Sequence, residues 1–216
     1  MNQVMDGLYA TEPEPLSFAP RLLIRAYLLR REQGNVLLYS SNSVAEEADA
    51  IEGLGGIARR YLNHWHESSF GCAATTARFE APLLVHAADR DSVASRCEVD
   101  ESFAARAMVE SDLEAIPIPG HTPGATAFLW DSGAQRFLFT GDSLLLDGGD
   151  WVGAVLDSSD RVAYIESLEL IRALDFDVLV PWAASAEGPI DVMNDHAEVE
   201  DRIDAVLERV RAGKNH

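Results

Sequence analysis

The chain has 216 residues, of which 47% are hydrophobic and 25% charged, and its formal net charge is −19. These proportions are typical of a globular chain with a substantial core, so disorder is not expected, and the length favours a single domain over residues 1–216. The excess of 36 acidic over 17 basic residues argues against binding to nucleic acid or to an anionic membrane surface, because both need clustered cations.

The N-terminal residues, the apolar runs and the cysteines predict where in the cell the protein is located. The first residues, MNQVMDGLYATEPEPLSF, show no basic stretch followed by an apolar one, so no secretory signal is predicted. No apolar run reaches the length of a membrane span. Cys72 and Cys97 form no CxxC pattern, so free thiols in a reducing cytosol are expected. The sequence therefore predicts a soluble cytoplasmic protein and leaves its oligomeric state open.

The first half of the chain predicts a hairpin, a helix and a strand. LLIRAYLL and NVLLYS are strand-like runs separated by the polar turn EQGN. SVAEEADAIEGLGG predicts a helix that Ser43 caps, with Glu46 three residues later as in a capping box, and that ends at Gly55. IARRYLNHWH predicts a short strand that runs into His64 and His66.

The second half repeats this mixture of strands and helices. APLLVHAAD and LEAIPIPG predict strands, and DESFAARAMVESD predicts a helix or a loop followed by a helix. ATAFLWDSGAQRFLFTGD predicts a hairpin that turns at Asp131, Ser132 and Gly133.

The end of the chain predicts two helices around a buried strand. SSDRVAYIESLELIRALDF has the clearest helical spacing, with apolar residues at Val162, Ile165, Leu168, Ile171 and Leu174. DVLVPWAA predicts the strand, and VMNDHAEVEDRIDAVLERVRAG a helix that ends at Gly213. Hairpins joined to helices predict an α/β fold with two mixed β-sheets and helices outside them.

Three short motifs carry metal-binding side chains at strand ends or in the adjoining loops. They are His64 and His66 in NHWHESSFG, His121 in PGHTPG and Asp142 in FLFTGD. In a strand, residues two apart point to the same side, so the first two imidazoles can reach one ion. Three histidines and one aspartate suit zinc, and two histidines with one carboxylate also suit ferrous iron.

The order of NHWHESSFG, GHTPG and TGD resembles that of the metallo-β-lactamase superfamily. This resemblance implies a four-layer αββα sandwich and, in most members, two bound metals. The family's first-metal ligands and its bridging carboxylate correspond to His64, His66, His121 and Asp142. The remaining second-metal ligands are replaced by Ser68, Ser69 and Ala183. The resemblance therefore implies a single retained metal site.

Other side chains near these motifs have more ordinary interpretations. Glu67 does not align with a ligand position and is expected to be solvated, with substitution for a lost ligand or base as the alternative. Trp65 is expected to pack over the site. The remaining histidines are interpreted as structural or surface residues: His86, His196 and His216.

The resemblance implies a metal-dependent hydrolase that acts on a small ester, thioester or lactone, with zinc as the metal and Asp142 as ligand or general base. One alternative is a non-catalytic binding or scaffold protein with a vestigial or empty metal site. A further alternative is a mononuclear iron enzyme similar to persulfide dioxygenases, which would use His66, His121 and Asp142. The sequence is compatible with an enzyme and with a non-catalytic protein.

Overall fold

The computed structural model describes residues 1–216. Its backbone forms two compact units, Met1–Phe103 and Ala104–His216. Each unit has a mixed β-sheet and helices, as expected for the predicted α/β fold. None of the helices combines the length and apolar character that crossing a membrane requires.

The first unit is built on a seven-stranded sheet with the order β1-β2-β5-β6-β7-β8-β9 and a separate antiparallel hairpin, β3–β4. The sheet is antiparallel from β1 to β6 and parallel from β6 to β9. The strands are β1 (Asn2–Met5), β2 (Leu8–Ala10), β3 (Glu14–Leu16), β4 (Ala19–Ile24), β5 (Tyr27–Leu29), β6 (Val36–Leu38), β7 (Arg59–Tyr61), β8 (Leu83–His86) and β9 (Glu101–Phe103).

Short helices connect the parallel strands of this unit: α1 (Ser43–Glu46), α2 (Ala48–Gly53), α3 (Cys72–Phe79) and α4 (Arg90–Ala94). The predicted hairpin is confirmed for β5 and β6, but the first part of the run LLIRAYLL belongs to β4, which pairs with β3 instead. The single helix predicted from Ser43 is instead two helices, α1 and α2, which meet at Glu47. The predicted cap is also wrong, because the hydroxyl of Ser41 accepts the backbone N–H of Ser43 and Ser43 itself is the first helical residue.

The second unit contains a six-stranded sheet with the order β10-β11-β12-β13-β16-β18 and a three-stranded set, β15-β14-β17. In the six-stranded sheet only the β13–β16 pair is parallel. The strands are β10 (Ala107–Glu110), β11 (Leu113–Pro117), β12 (Thr126–Asp131), β13 (Arg136–Gly141), β14 (Leu145–Asp147), β15 (Asp150–Val152), β16 (Val178–Pro181), β17 (Ala183–Ala184) and β18 (Asp191–Val192).

Two long helices, α5 (Arg161–Arg172) and α6 (His196–Arg211), pack on the core of this unit. Helix α5 is capped by the side chain of Asp160, which accepts two backbone N–H groups. Its buried face includes Tyr164, Leu168 and Ile171, whereas Val162, predicted on that face, is 68% exposed. Val162 is two residues before Tyr164, which places it on the opposite side of the helix from the buried face.

Two predictions in the middle of the chain are corrected. DESFAARAMVESD forms strands β9 and β10 rather than a helix, because pairing with β8 and β11 overrides its alanine-rich local preference. Cys72 and Cys97 are joined in a disulfide rather than free. Both cysteines are buried in a cluster with Leu62, Leu83 and Val85, so the bond links helix α3 to the chain after α4 within one core.

Candidate metal centre

The turn that carries His64 and His66 follows strand β7. The strand ends at Tyr61, earlier than predicted, and a 3₁₀ helix spans Trp65–Ser69. His64 has an extended backbone directly before this helix, and His66 lies within it. The two imidazole centroids are 5.0 Å apart. The prediction that strand alternation aligns these histidines is therefore wrong, and a tight turn brings their rings together instead.

Two buried carboxylates hold this turn in place. Oε1 of Glu67 accepts the backbone N–H of Asn63 at 2.9 Å and that of His64 at 3.1 Å. Oδ2 of Asp89 accepts the next backbone N–H, that of Trp65, at 3.0 Å. Glu67 has no exposed surface, so the expectation of a solvated glutamate is wrong. Three consecutive amides are thus bound by carboxylate oxygens, which fixes the backbone at His64.

The imidazole of His64 is also held by this turn. Its Nδ1 lies 3.0 Å from Oε1 of Glu67 and 3.2 Å from Oδ1 of Asn63. The ring is buried, with 1% of the residue exposed. These contacts fix the orientation of the ring within the turn.

His121 lies in the GHTPG loop, directly after Gly120. Gly120 has a φ of +138°, and a Cβ there would lie 2.4–2.6 Å from atoms of Tyr164, so glycine is required. Nδ1 of His121 lies 2.7 Å from the carbonyl oxygen of Ala154. The Ser159 hydroxyl donates to the carbonyl of His121 at 3.0 Å. The ring is therefore oriented with Nε2 directed away from Ala154.

Asp142 follows the end of strand β13 in a turn closed by a bond from the Ser143 amide to the Thr140 carbonyl at 3.1 Å. Oδ2 of Asp142 lies 3.8 Å from Nε2 of His121. Burial raises the pKa of the Tyr164 phenol above its ordinary value, so its hydroxyl stays protonated and donates to the Ser143 carbonyl.

Four side chains form a group that could hold a metal ion. One ligand atom from each of His64, His66, His121 and Asp142 lies within 4.8 Å of the others. Three imidazoles and one carboxylate are donor types that divalent metal ions such as zinc accept. This group of side chains could therefore hold a metal ion.

The residues at the family's remaining second-metal positions offer no comparable donors. The hydroxyl of Ser68 donates to the carbonyl oxygen of Trp65 at 2.6 Å, inside the 3₁₀ helix. Ser69 is exposed, and Ala183 is a buried residue of strand β17 with no polar side-chain atom. The histidines outside the group take ordinary roles, since His86 packs edge-on to Phe103 and His196 begins helix α6.

Several residues that shape this site were not predicted from the sequence. The spacing of His64 and Glu67, three residues apart as in a capping box, was the available signal for a buried Glu67. No sequence signal identified Tyr164 or the carbonyl of Ala154, because their contacts join segments distant along the chain.

Comparison with known proteins identifies the class to which this fold and site belong. Residues 48–183 match the sequence profile of the metallo-beta-lactamase superfamily, which is more than half of the chain. The chain therefore belongs to the metallo-beta-lactamase superfamily.

One curated relative matches only part of this chain. A hydroxyacylglutathione hydrolase from Anaeromyxobacter dehalogenans is 32% identical over 109 residues, which are 48% of this chain and 40% of that protein. The chain thus matches well under half the length of this relative.

Solved structures share the fold at low sequence identity. A metallo-beta-lactamase from Pontibacter korlensis has a TM-score of 0.76 and 16% identity, with 97% of both chains covered. FIM-1 from Pseudomonas aeruginosa, in its mono-zinc form, has a TM-score of 0.74 and 13% identity over 96% of this chain and 93% of its own. These similarities confirm the predicted metallo-β-lactamase-like fold, with mixed sheets flanked by helices.

Proposed function

We propose that this chain is a metal-dependent hydrolase with one metal site, whose ligands are His64, His66, His121 and Asp142. The observation that carries the proposal is the clustering of these four side chains within 4.8 Å. The poor donors at Ser68, Ser69 and Ala183 support one ion rather than two. We also propose that residues 1–216 act as one domain, since the family match at 48–183 takes in parts of both units.

A divalent cation in such a site supplies Lewis acidity toward a carbonyl oxygen and lowers the pKa of water. The protein residues supply orientation. Glu67 and Asn63 hold His64, and the carbonyl of Ala154 holds His121. Asp142 is partly exposed, unlike His64 and His121, so its carboxylate can also accept a proton from water as the general base.

The proposed substrates are small molecules with an ester, thioester or lactone bond. A site without a second cation stabilises a departing anion less, so bonds with good leaving groups are favoured. The relative from Anaeromyxobacter dehalogenans is named for the hydrolysis of hydroxyacylglutathione, which supports an acylated thiol as the first substrate to assay.

Zinc is the proposed metal, because the site offers three imidazoles and one carboxylate. The mono-zinc form of FIM-1 supports the view that this fold can hold a single zinc. A cytoplasmic location stays a prediction from the sequence. The buried Cys72–Cys97 disulfide stands against it, because disulfides persist mainly in oxidising compartments.

The test is hydrolysis of a hydroxyacylglutathione, an aryl ester and a lactone by the zinc-loaded protein. We expect turnover of at least one substrate, its loss in His121→Ala, and its retention in Ser68→Ala, which removes only a hydroxyl bonded within the 3₁₀ helix. Zinc-loaded protein that hydrolyses none of the three would contradict the hydrolase and favour a binding role.

A further inference from the structure

We propose that the Cys72–Cys97 disulfide makes metal binding by this chain sensitive to redox state. The disulfide holds the turn that carries His64 and His66 in the conformation that binds the cation. This inference rests on the proposed function, because it needs a cation bound by these two histidines. It predicts that reduction of the disulfide weakens zinc binding in a chain that is still folded.

The disulfide and the turn share one hydrophobic core. Both cysteines are buried in this core, with 2% and 7% of their surfaces exposed. Leu62 belongs to the same cluster, and the Trp65 side chain packs against it. Leu62 lies two residues before His64, and Trp65 lies directly between His64 and His66. The core that encloses the disulfide therefore also supports the turn.

Each cysteine is linked to the turn by a separate route. Cys72 is the first residue of helix α3, and only two residues separate it from the 3₁₀ helix of the turn. Arg96 directly precedes Cys97, and its guanidinium carbon lies 5.2 Å from the centre of the Trp65 ring, as in a cation–π contact. The Trp65 and His66 ring centroids are 4.0 Å apart. The disulfide thus joins the segment after the turn to the segment that covers it.

Reduction removes this link and changes no other covalent bond. A dithiol transfers two electrons and two protons to the disulfide, the Sγ–Sγ bond breaks, and the dithiol closes into a disulfide of its own. Helix α3 and the segment around Arg96 can then separate when the region opens locally. The binding conformation of the turn becomes a smaller fraction of the ensemble, and the apparent affinity for the cation falls by that fraction.

The coupling between the disulfide and the cation acts in both directions. Because both sulfurs are buried, a dithiol reaches them when the region opens, and a bound cation opposes that opening. By linkage, zinc must stabilise the disulfide against reduction by the same factor by which the disulfide raises the affinity for zinc.

The experiment compares zinc affinity in the full-length chain with and without the disulfide. The wild type is reduced with dithiothreitol in urea and refolded without oxygen or reductant, and Cys72→Ser/Cys97→Ser provides a chain that cannot form the bond. Competition with a chromophoric chelator gives the dissociation constant for zinc. Hydrogen exchange of the Trp65 backbone amide, which donates to Asp89 at 3.0 Å, reports opening of the turn before zinc is added.

Ile51→Ala is the matched control. Ile51 is fully buried in a different core of the same unit, together with Leu28, Leu37 and Val44. Its truncation leaves a cavity and lowers the free energy of unfolding, but it lies outside the cluster that contains the disulfide. A loss of zinc affinity that follows from lower stability alone would therefore occur in this variant as well.

We expect the dissociation constant for zinc to rise about 5- to 150-fold in both forms that lack the disulfide, which is the usual range of coupling between two sites. Exchange of the Trp65 amide should be faster in both forms, and Ile51→Ala should retain the wild-type affinity.

Three results would overturn this inference alone: equal zinc affinity with and without the disulfide, an equal loss of affinity in Ile51→Ala, or unchanged exchange of the Trp65 amide. Failure of both forms to fold would also overturn it, because the disulfide would then serve the whole first unit. A wild type that binds no zinc would overturn the proposed function, whereas exchange at Trp65 tests the effect of the disulfide on the turn independently of zinc.

Discussion

The hydroxyl of Tyr164 donates a 2.5 Å hydrogen bond to the carbonyl oxygen of Ser143, the residue after Asp142. The same hydroxyl accepts the N–H of Ala154 at 2.9 Å, and the carbonyl of Ala154 faces the imidazole of His121. One buried phenol on helix α5 therefore connects the turn that carries Asp142 with the segment that orients His121.

Tyr164→Phe removes both bonds and leaves the Ala154 N–H and the Ser143 carbonyl without this partner. Unmade hydrogen bonds of buried groups cost about 1–3 kcal/mol, so we expect the free energy of unfolding to fall by that amount. Zinc affinity should fall as well, because two ligand segments lose a shared support. Urea unfolding and zinc titration measure the effects. Tyr9→Phe, in strand β2, is the control, and equal effects of the two substitutions would contradict this role.

The glycine of the GHTPG loop provides a second prediction. A Cβ on Gly120 would lie 2.4 Å from the Cα of Tyr164, within a buried loop with a φ of +138°. Gly120→Ala must move helix α5 or the loop, and we expect a loss of stability of more than about 2 kcal/mol together with lower zinc occupancy.

Gly133→Ala is the matched control for Gly120→Ala. Gly133 also has a positive φ, +81°, but no atom lies within 4 Å of a Cβ built there. Its substitution therefore carries backbone strain of about 1 kcal/mol without a steric clash. If the two variants unfold at the same urea concentration, the close approach to Tyr164 does not constrain the loop.

Sequence patterns predicted the local features and missed those that depend on distant contacts. The hairpins β5–β6 and β12–β13 and the helices α5 and α6 follow from turn residues and apolar spacing, and the structure confirms them. The four residues His64, His66, His121 and Asp142 were predicted together because their motifs occur in a recognisable order.

The failures have physical causes. The alanine-rich segment before β11 has helical preference, but strand pairing decides its structure. The disulfide was missed because cysteine spacing alone does not report distance in space. Glu67 was expected in solvent because charged residues usually lie there, whereas three nitrogens of its own turn bind its carboxylate.

The disulfide leads to a third prediction. It closes a loop with a sequence separation of 25 residues in the core of the first unit. Replacing both Cys72 and Cys97 by serine should reduce the free energy of unfolding by about 3 kcal/mol through chain entropy. Urea unfolding measures the loss. Thiol titration of unfolded wild type prepared without reductant should detect no free thiol, and two free thiols would contradict the bond.

A fourth prediction concerns alkaline pH. Burial raises the pKa of the Tyr27 phenol above its ordinary value of 10.0. The neutral phenol therefore stabilises the fold fully below the unfolded-state pKa, and this contribution is lost as pH rises above about 10. Tyr27→Phe should retain a larger fraction of its neutral-pH stability at about pH 11 than the wild type. Urea unfolding measures the free energy of unfolding of both proteins. Equal fractional losses in the wild type and in Tyr27→Phe would show that the Tyr27 phenol titrates alike in the folded and unfolded states.

The most direct test of the account is the number of metal ions bound per chain, measured by elemental analysis after zinc loading and dialysis. Binding of one ion by the four proposed ligands predicts one equivalent of zinc per chain in the wild type and in Ser68→Ala. His121→Ala should hold far less than one and should unfold at a lower temperature, because bound zinc stabilises the native state. No zinc in the wild type, two equivalents, or full retention by His121→Ala would contradict the account.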